Sequence, residues 1–288
     1  MTGGGDVMPL ARRPSRFRAS LRRNPATLAG GAMVLFFVLV ALAAPLLPLD
    51  DPTRTSWAAV RKAPSAAHWL GTDEIGRDLL SRMIWGARAS LLAGIVSVAI
   101  AVALGVPLGV AAGALRGWTD AVISRLTEAL LAAPFLILAI ALAAFLGPSL
   151  TNAMIAIGLS AMPVFIRLAR AQTLQVMSED YVESAHAIGV GPVALTLRYI
   201  LPNIFAPILV QATLTVATAI IAEASLSFLG LGQQPPDPSW GSMLNVAKNF
   251  LDQAPWMALW PGIAIFLVVL GFNLVGDGLR DALDPKER

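Results

Sequence analysis

Six runs of apolar residues, each long enough to cross a bilayer, divide the chain: Leu28–Leu47, Leu91–Ala114, Ala121–Leu146, Leu150–Leu168, Ile204–Phe228 and Met257–Val275. A membrane helix needs roughly 20 such residues, so the pattern predicts an all-α membrane protein of six transmembrane helices. Unbroken runs of this length exclude the ten-residue alternation of a membrane barrel. Pro107, Pro134, Pro163 and Pro207 lie inside runs and are tolerated where neighbouring helices satisfy the freed backbone groups. Gly105 and Gly109, four apart, are spaced to let two helices approach closely, although that spacing also arises by chance. One segment breaks the rhythm: Ser178–Asn203 is too polar to cross and too structured for a linker. Ser178 is placed to cap a helix that opens with Glu179 and Asp180 and runs to Ile188. Gly189 then suits a left-handed C-terminal residue, Gly191-Pro192 restarts the chain, and a second short helix is expected to end before Pro202.

Composition agrees: 56% of residues are hydrophobic and 14% charged, against about 25% charged in soluble domains. A net charge of +3 raises the question of nucleic acid, but the basic residues gather beside the apolar runs, as topology signals do. Fourteen of the 21 Lys and Arg residues fall on the side shared by both termini, which places the termini and Ser178–Asn203 in the cytoplasm. The loops Asp50–Ser90 and Gly230–Trp256 then face outward. Cleavage of the first run as a signal peptide is disfavoured, because the run exceeds an h-region of about 7–15 residues and follows a long tail. With no cysteine and only His68 and His186, disulfides, thiol chemistry and a histidine-rich metal site are excluded. Four parts are expected: a basic tail (1–26), the first span with its outer loop (27–87), a core holding the five further spans (88–279) and a short tail (280–288).

The sequence has no G-x-x-x-x-G-K-[ST] phosphate loop and no H-E-x-x-H or G-x-S-x-G motif. Directed work by this chain therefore needs energy from another subunit. Glu183-Ser184-Ala185, Gly189 and Leu201-Pro202 resemble the E-A-A-x3-G-x9-I-x-L-P signature of ABC-importer permeases, with Ser184 for the middle small residue and Tyr199 for isoleucine. HWLGTDEIGRDLLSR (68–82) and LSFLGLGQQPPDPSWGSML (226–244) are similar to outer-loop segments of the dipeptide and oligopeptide branch. The resemblance covers about residues 25–284 and implies a type I importer permease fold with a cytoplasmic coupling helix.

It further implies a homologous second permease subunit, two ATPase subunits that bind the ATP and Mg, an extracytoplasmic substrate-binding protein, and no cofactor in this chain. Tyr181, Glu183, Ser184, Ala185, Gly189, Leu201 and Pro202 become candidates for coupling to the ATPase. Tyr181, Ala185 and Ile188 share a helix face by spacing. Glu183 either bonds a partner or stabilises its own helix.

Ionisable residues within spans are functional candidates. Glu223 either lines a path or gate or bonds neighbouring helices, the latter slightly favoured. Asn152 and Gln211 share that choice. Arg125 and Glu128 are expected to snorkel to the cytoplasmic boundary. In the outer loop Thr72 is expected to cap a helix beginning Asp73-Glu74, with Arg77 pairing Asp73. Asp73, Glu74, Arg77 and Asp78 are then candidates to receive the binding protein. A secondary transporter would show discontinuous helices in repeated halves, and a membrane scaffold would show neither coupling nor transport.

Overall fold

The computed structural model describes residues 24–283. The basic tail expected at the N-terminus lies outside them except for its last three residues, as do 284–288 of the C-terminal tail. The described residues form α1 (Pro25–Ala43), α2 (Leu79–Leu115), α3 (Gly117–Leu131), α4 (Phe135–Leu146), α5 (Leu150–Met177), α6 (Asp180–Ala187), α7 (Pro192–Leu195), α8 (Leu201–Phe228), α9 (Trp240–Ala247) and α10 (Trp256–Leu283). A π-helical turn, Thr196–Ile200, joins α7 to α8.

Five crossings are single helices: Pro25–Leu46, Leu79–Leu115, Leu150–Met177, Pro192–Phe228 and Trp256–Leu283. The remaining run, Ala121–Leu146, differs from the expected uniform helix. It is α3 and α4, bent by 92° at Ala132–Pro134. Pro134 has no N–H to continue the ladder, and its ring collides with the carbonyl four residues back.

α2 is longer than its apolar run because nothing interrupts it between Leu79 and Ser90. At 1.5 Å per residue its 37 residues reach about 55 Å, so its first turns project beyond a hydrocarbon core of roughly 30 Å. Asp78 caps it, accepting from the Ser81 backbone N–H at 2.9 Å.

The centre of the bundle is α2 against α5, flanked by α8, with α1 and α10 paired on the outside. Gly105, Gly109 and Gly113 of α2 lie against Phe165, Ile166, Ala169 and Thr173 of α5. The four-residue glycine spacing is therefore a helix-packing seam. Phe165, Ile157, Ile200, Ile204 and Ile220 are fully buried around it.

The two long loops, 50–90 and 230–256, fold into one cap. Arg82 donates to the carbonyls of Pro52 (2.8 Å) and Pro236 (3.3 Å), and Trp256 and Trp260 donate to those of Thr72 (3.3 Å) and Leu70 (3.1 Å). Within it α9, opened by a Ser239–Ser242 capping box, seats the buried Trp240 edge-on to Phe37 of α1 at 5.5 Å.

Candidate coupling site

Ser178–Asn203 folds as helix, glycine turn and helix, with two corrections. Ser178 caps nothing: its hydroxyl donates back to the Gln175 carbonyl (2.7 Å), ending α5, and α6 opens at Glu179 without a side-chain cap. Nor does the second helix stop before Pro202. α7, the π turn and α8 form one rod from Pro192 to Phe228. Pro202 would have crowded the carbonyl four residues back. Ahead of it, in the π turn, the Leu201 amide reaches the Thr196 carbonyl, five residues away, and the widened turn absorbs the proline.

α6 ends as expected. Gly189 takes φ +85°, its N–H bonds the His186 carbonyl (3.0 Å), and the Val190 N–H bonds that of Ala185 (3.1 Å). These two bonds make a Schellman stop, which needs a left-handed residue at Gly189. Pro192 then begins α7 at the position where its missing N–H costs nothing.

The inward face of α6 is Val182 and Ala185, 2% and 4% exposed. This corrects the stripe of Tyr181, Ala185 and Ile188, since Tyr181 is 46% and Ile188 83% exposed. Tyr181, Glu183, Ser184, His186 and Ile188 project outward together. Glu183 makes no ion pair among the described residues. Tyr181 stacks on Tyr199 of the π turn at 6.4 Å between ring centroids, and these are the two tyrosines of the chain. The stack braces α6 against the α7–α8 rod. Leu201 is half-buried and Pro202 exposed. The segment thus offers an exposed, mostly uncharged helix face, locked at both ends to membrane helices. It holds no arrangement for bond-breaking chemistry.

One brace escaped the sequence reading. Arg170 of α5 grips Asp120 of α3 through two hydrogen bonds, 2.5 and 2.7 Å, and Ser124 donates to the same carboxylate at 2.9 Å. The partners lie 50 residues apart, and no local spacing marks them. Both are partly solvated, so the pair contributes about 1 kcal/mol. Asp120→Arg or Arg170→Asp alone is expected to lower the melting temperature by a few degrees, and the double reversal to recover most of it. Additive losses would contradict the pairing.

The other candidates take structural positions. Glu223 is fully buried, accepting from Ser227 (2.7 Å) and from Ser90 of α2 (3.1 Å). Ser90 in turn accepts the Trp240 N–H at 3.3 Å, so the carboxylate ties α2, α8 and α9 together. Asn152 donates to the carbonyls of Leu146 and Gly147, closing the α4–α5 turn, and Gln211 donates to Thr215 on its own helix.

The expected outer helix at Asp73 is absent. Thr72 bonds Lys62 and Ala59 and bridges Asp78 across a tight turn, in which Asp73 accepts from the Ile75 and Arg77 amides. Arg77 does pair with Asp73 (2.5 Å) and with Glu74 (2.7 Å), but within the turn. A helix cap and a turn use the same Thr-Asp chemistry, and Gly76 at φ +80° decides for the turn. Asp73 and Arg77 are buried, which leaves Glu74 and Asp78 only partly open to a partner. His68 contacts Asp78 at 3.0 Å.

Burial, then the neighbouring Asp73 charge, push the Glu74 carboxyl above its ordinary range. Its folded form thus holds a proton more tightly than its unfolded form, so ionisation as pH rises through the raised value destabilises the turn. Amide exchange at residues 71–79 is expected to slow as pH falls from 7 toward 5, after correction for intrinsic rates. Faster corrected exchange would refute this.

Residues 105–288 match the family model for the binding-protein-dependent transport system inner membrane component, and residues 15–64 that for the N-terminal TM domain of oligopeptide transport permease C. The dipeptide transport system permease protein DppC of Alkalihalophilus pseudofirmus is 46% identical over 266 residues, covering 92% of this chain and 88% of that protein. The glutathione transport system permease protein GsiD of Pectobacterium atrosepticum is 43% identical over 270 residues, covering 94% and 90%. The probable D,D-dipeptide transport system permease protein DdpC of Escherichia coli is 44% identical over 266 residues, covering 92% and 89%. The fold matches a chain in a structure of inward-facing conformations of the MetNI methionine ABC transporter, with TM-score 0.58, 20% identity, and 70% and 97% of the two chains covered.

Proposed function

The chain belongs to the binding-protein-dependent transport inner membrane components, the permease subunits of ABC importers, and on that premise we propose that its cargo is short peptides. Relatives named for dipeptides, D,D-dipeptides and glutathione, each covering nearly the whole chain, support that class. In this reading a homologous second permease completes the pore, two ATPase subunits carrying ATP and Mg dock from the cytoplasm, and a binding protein delivers peptide from outside. Both termini are cytoplasmic, following the Lys and Arg count.

The observation that carries the coupling role is α6 itself. It presents Tyr181, Glu183 and Ser184 outward, while Gly189 and the Tyr181–Tyr199 stack join it to the rod that becomes α8. Displacement of α6 by closing ATPases is then delivered to α8 through the short Gly189 turn and the Tyr181–Tyr199 stack, which is what alternating access requires.

The broken α3–α4 helix is a feature of secondary transporters too, but there it recurs in two related halves. Among the described residues it occurs once. Proteoliposomes holding the complete complex and binding protein should take up labelled dipeptide with ATP, keep doing so when the proton gradient is collapsed, and stop when the ATPase is catalytically dead. Uptake that survives the dead ATPase and collapses with the gradient would sink this function.

A further inference from the structure

α2 and α5 run parallel, with Gly105, Gly109 and Gly113 meeting Phe165, Ala169 and Thr173 in ascending register. α2 therefore ends and α5 begins on opposite sides of the membrane, and α3 and α4 must together make one crossing back. The 12 residues of α4 extend about 18 Å, short of a hydrocarbon core of roughly 30 Å. The Ala132–Pro134 elbow therefore falls within membrane depth. There the helical ladder is interrupted: the last carbonyls of α3 and the first amides of α4 lose helical partners, and Pro134 begins α4 without a side-chain cap. Irregular backbone survives at that depth only where protein covers it or water reaches it. The described residues do not cover it, since Ala132 and Pro134 are exposed and Ile137, one turn on, is 61% exposed.

A second observation chooses between water and a protein cover. Arg125 and Glu128 form a 3.1 Å ion pair with side chains 85% and 64% exposed. Glu128 precedes Ala132 by four residues, about 6 Å along α3, so the pair and the elbow lie along one face of the crossing. The pair thus sits inside the span, which corrects the expectation, from its place early in the run, that it snorkels to the cytoplasmic boundary. Charged side chains inside a span face a bundle interior or a water-filled cavity. An apolar partner surface would leave both the charges and the free backbone groups unsatisfied, whereas water serves both.

We infer that the Arg125–Glu128–Ala132 face and the elbow line the aqueous translocation path, where the free main-chain groups and the ion pair meet the peptide. This rests on the permease reading and names a wall of its path. Main-chain groups suit a peptide cargo because they offer hydrogen bonds irrespective of the peptide's side chains.

The chain has no native cysteine, so Ala132→Cys provides the single thiol of this subunit, whose labelling is read on this chain within the reconstituted complex. A membrane-impermeant cationic thiosulfonate should modify it roughly tenfold or more faster than a thiol at buried Ala139, and trapping the ATPases with nucleotide should change the rate severalfold. If A132C prevents assembly, I137C carries the same expectation. A thiol as inert as A139C, in both nucleotide-free and trapped complexes that still import dipeptide, overturns the path assignment alone. Loss of ATP-driven uptake in the unmodified complex would instead overturn the permease reading beneath it.

Discussion

Gly189→Val should weaken docking of the partner ATPase about tenfold or more, and uptake with it, while the bundle melts at its usual temperature. A Cβ at Gly189 meets nothing within 4 Å, so the effect cannot come from a clash. It comes from the backbone. φ is +85°, where an L-residue costs roughly 1–2 kcal/mol and a β-branched one more, and 1.4 kcal/mol is tenfold. To escape, the turn must give up the Val190–Ala185 and Gly189–His186 bonds, which frees α6 from α7. Gly189→Asn, tolerant of that conformation, should retain most activity. Gly191, at φ −65° with open space around it, should accept Ala without effect. Pull-down of the ATPase and dipeptide uptake read all three. Full docking by the valine variant would remove the turn from the coupling account.

The second large effect is on the fold. A Cβ at Gly109 would collide with the Ile166 carbonyl oxygen and stand 2.7 Å from Ala169 Cβ. Gly109→Leu must therefore push α5 off α2 along the glycine seam, with a cost at the top of the roughly 1–3 kcal/mol usual for overpacking or beyond it. The expected result is little or no monodisperse protein after extraction, and a strongly lowered melting temperature for what remains. Gly31→Ala, with nothing within 4 Å, is the matched control and should change neither. A normal melting curve for the Gly109 variant would mean that α2 and α5 do not meet as described.

Much of this was legible along the chain because the signals are local. Apolar length marked every crossing, and Gly189 and Gly191-Pro192 punctuated the coupling segment where the structure turns. What escaped depended on contacts between distant residues or on direction. Hydropathy sums over Ala121–Leu146 and cannot register that Pro134 removes one hydrogen bond. The spacing of Tyr181, Ala185 and Ile188 describes a stripe but not which stripe meets the bundle, and Val182 with Ala185 won because α6 lies against the membrane helices. Tyr199 stood out as a departure from the usual isoleucine, yet its reason is Tyr181, 18 residues earlier and 6.4 Å away. The Asp120–Arg170 grip and the serines around Glu223 were equally invisible. The outer turn failed for another reason: Thr72-Asp73 satisfies the chemistry of a helix cap and of a turn alike, and only the fold of the whole cap selects one.

The central claim is that the outward face of α6 is where the ATPase docks. Ser184→Cys places one thiol on that face, and Val182→Cys places one on the buried side of the same helix. With a short bifunctional thiol reagent and a cysteine on the partner ATPase surface, the complete complex should give a permease–ATPase product from the Ser184 position, lost when ATPase is omitted, and little from Val182. Cross-linking from Val182 but not Ser184 in an assembled, ATP-hydrolysing complex would contradict the account.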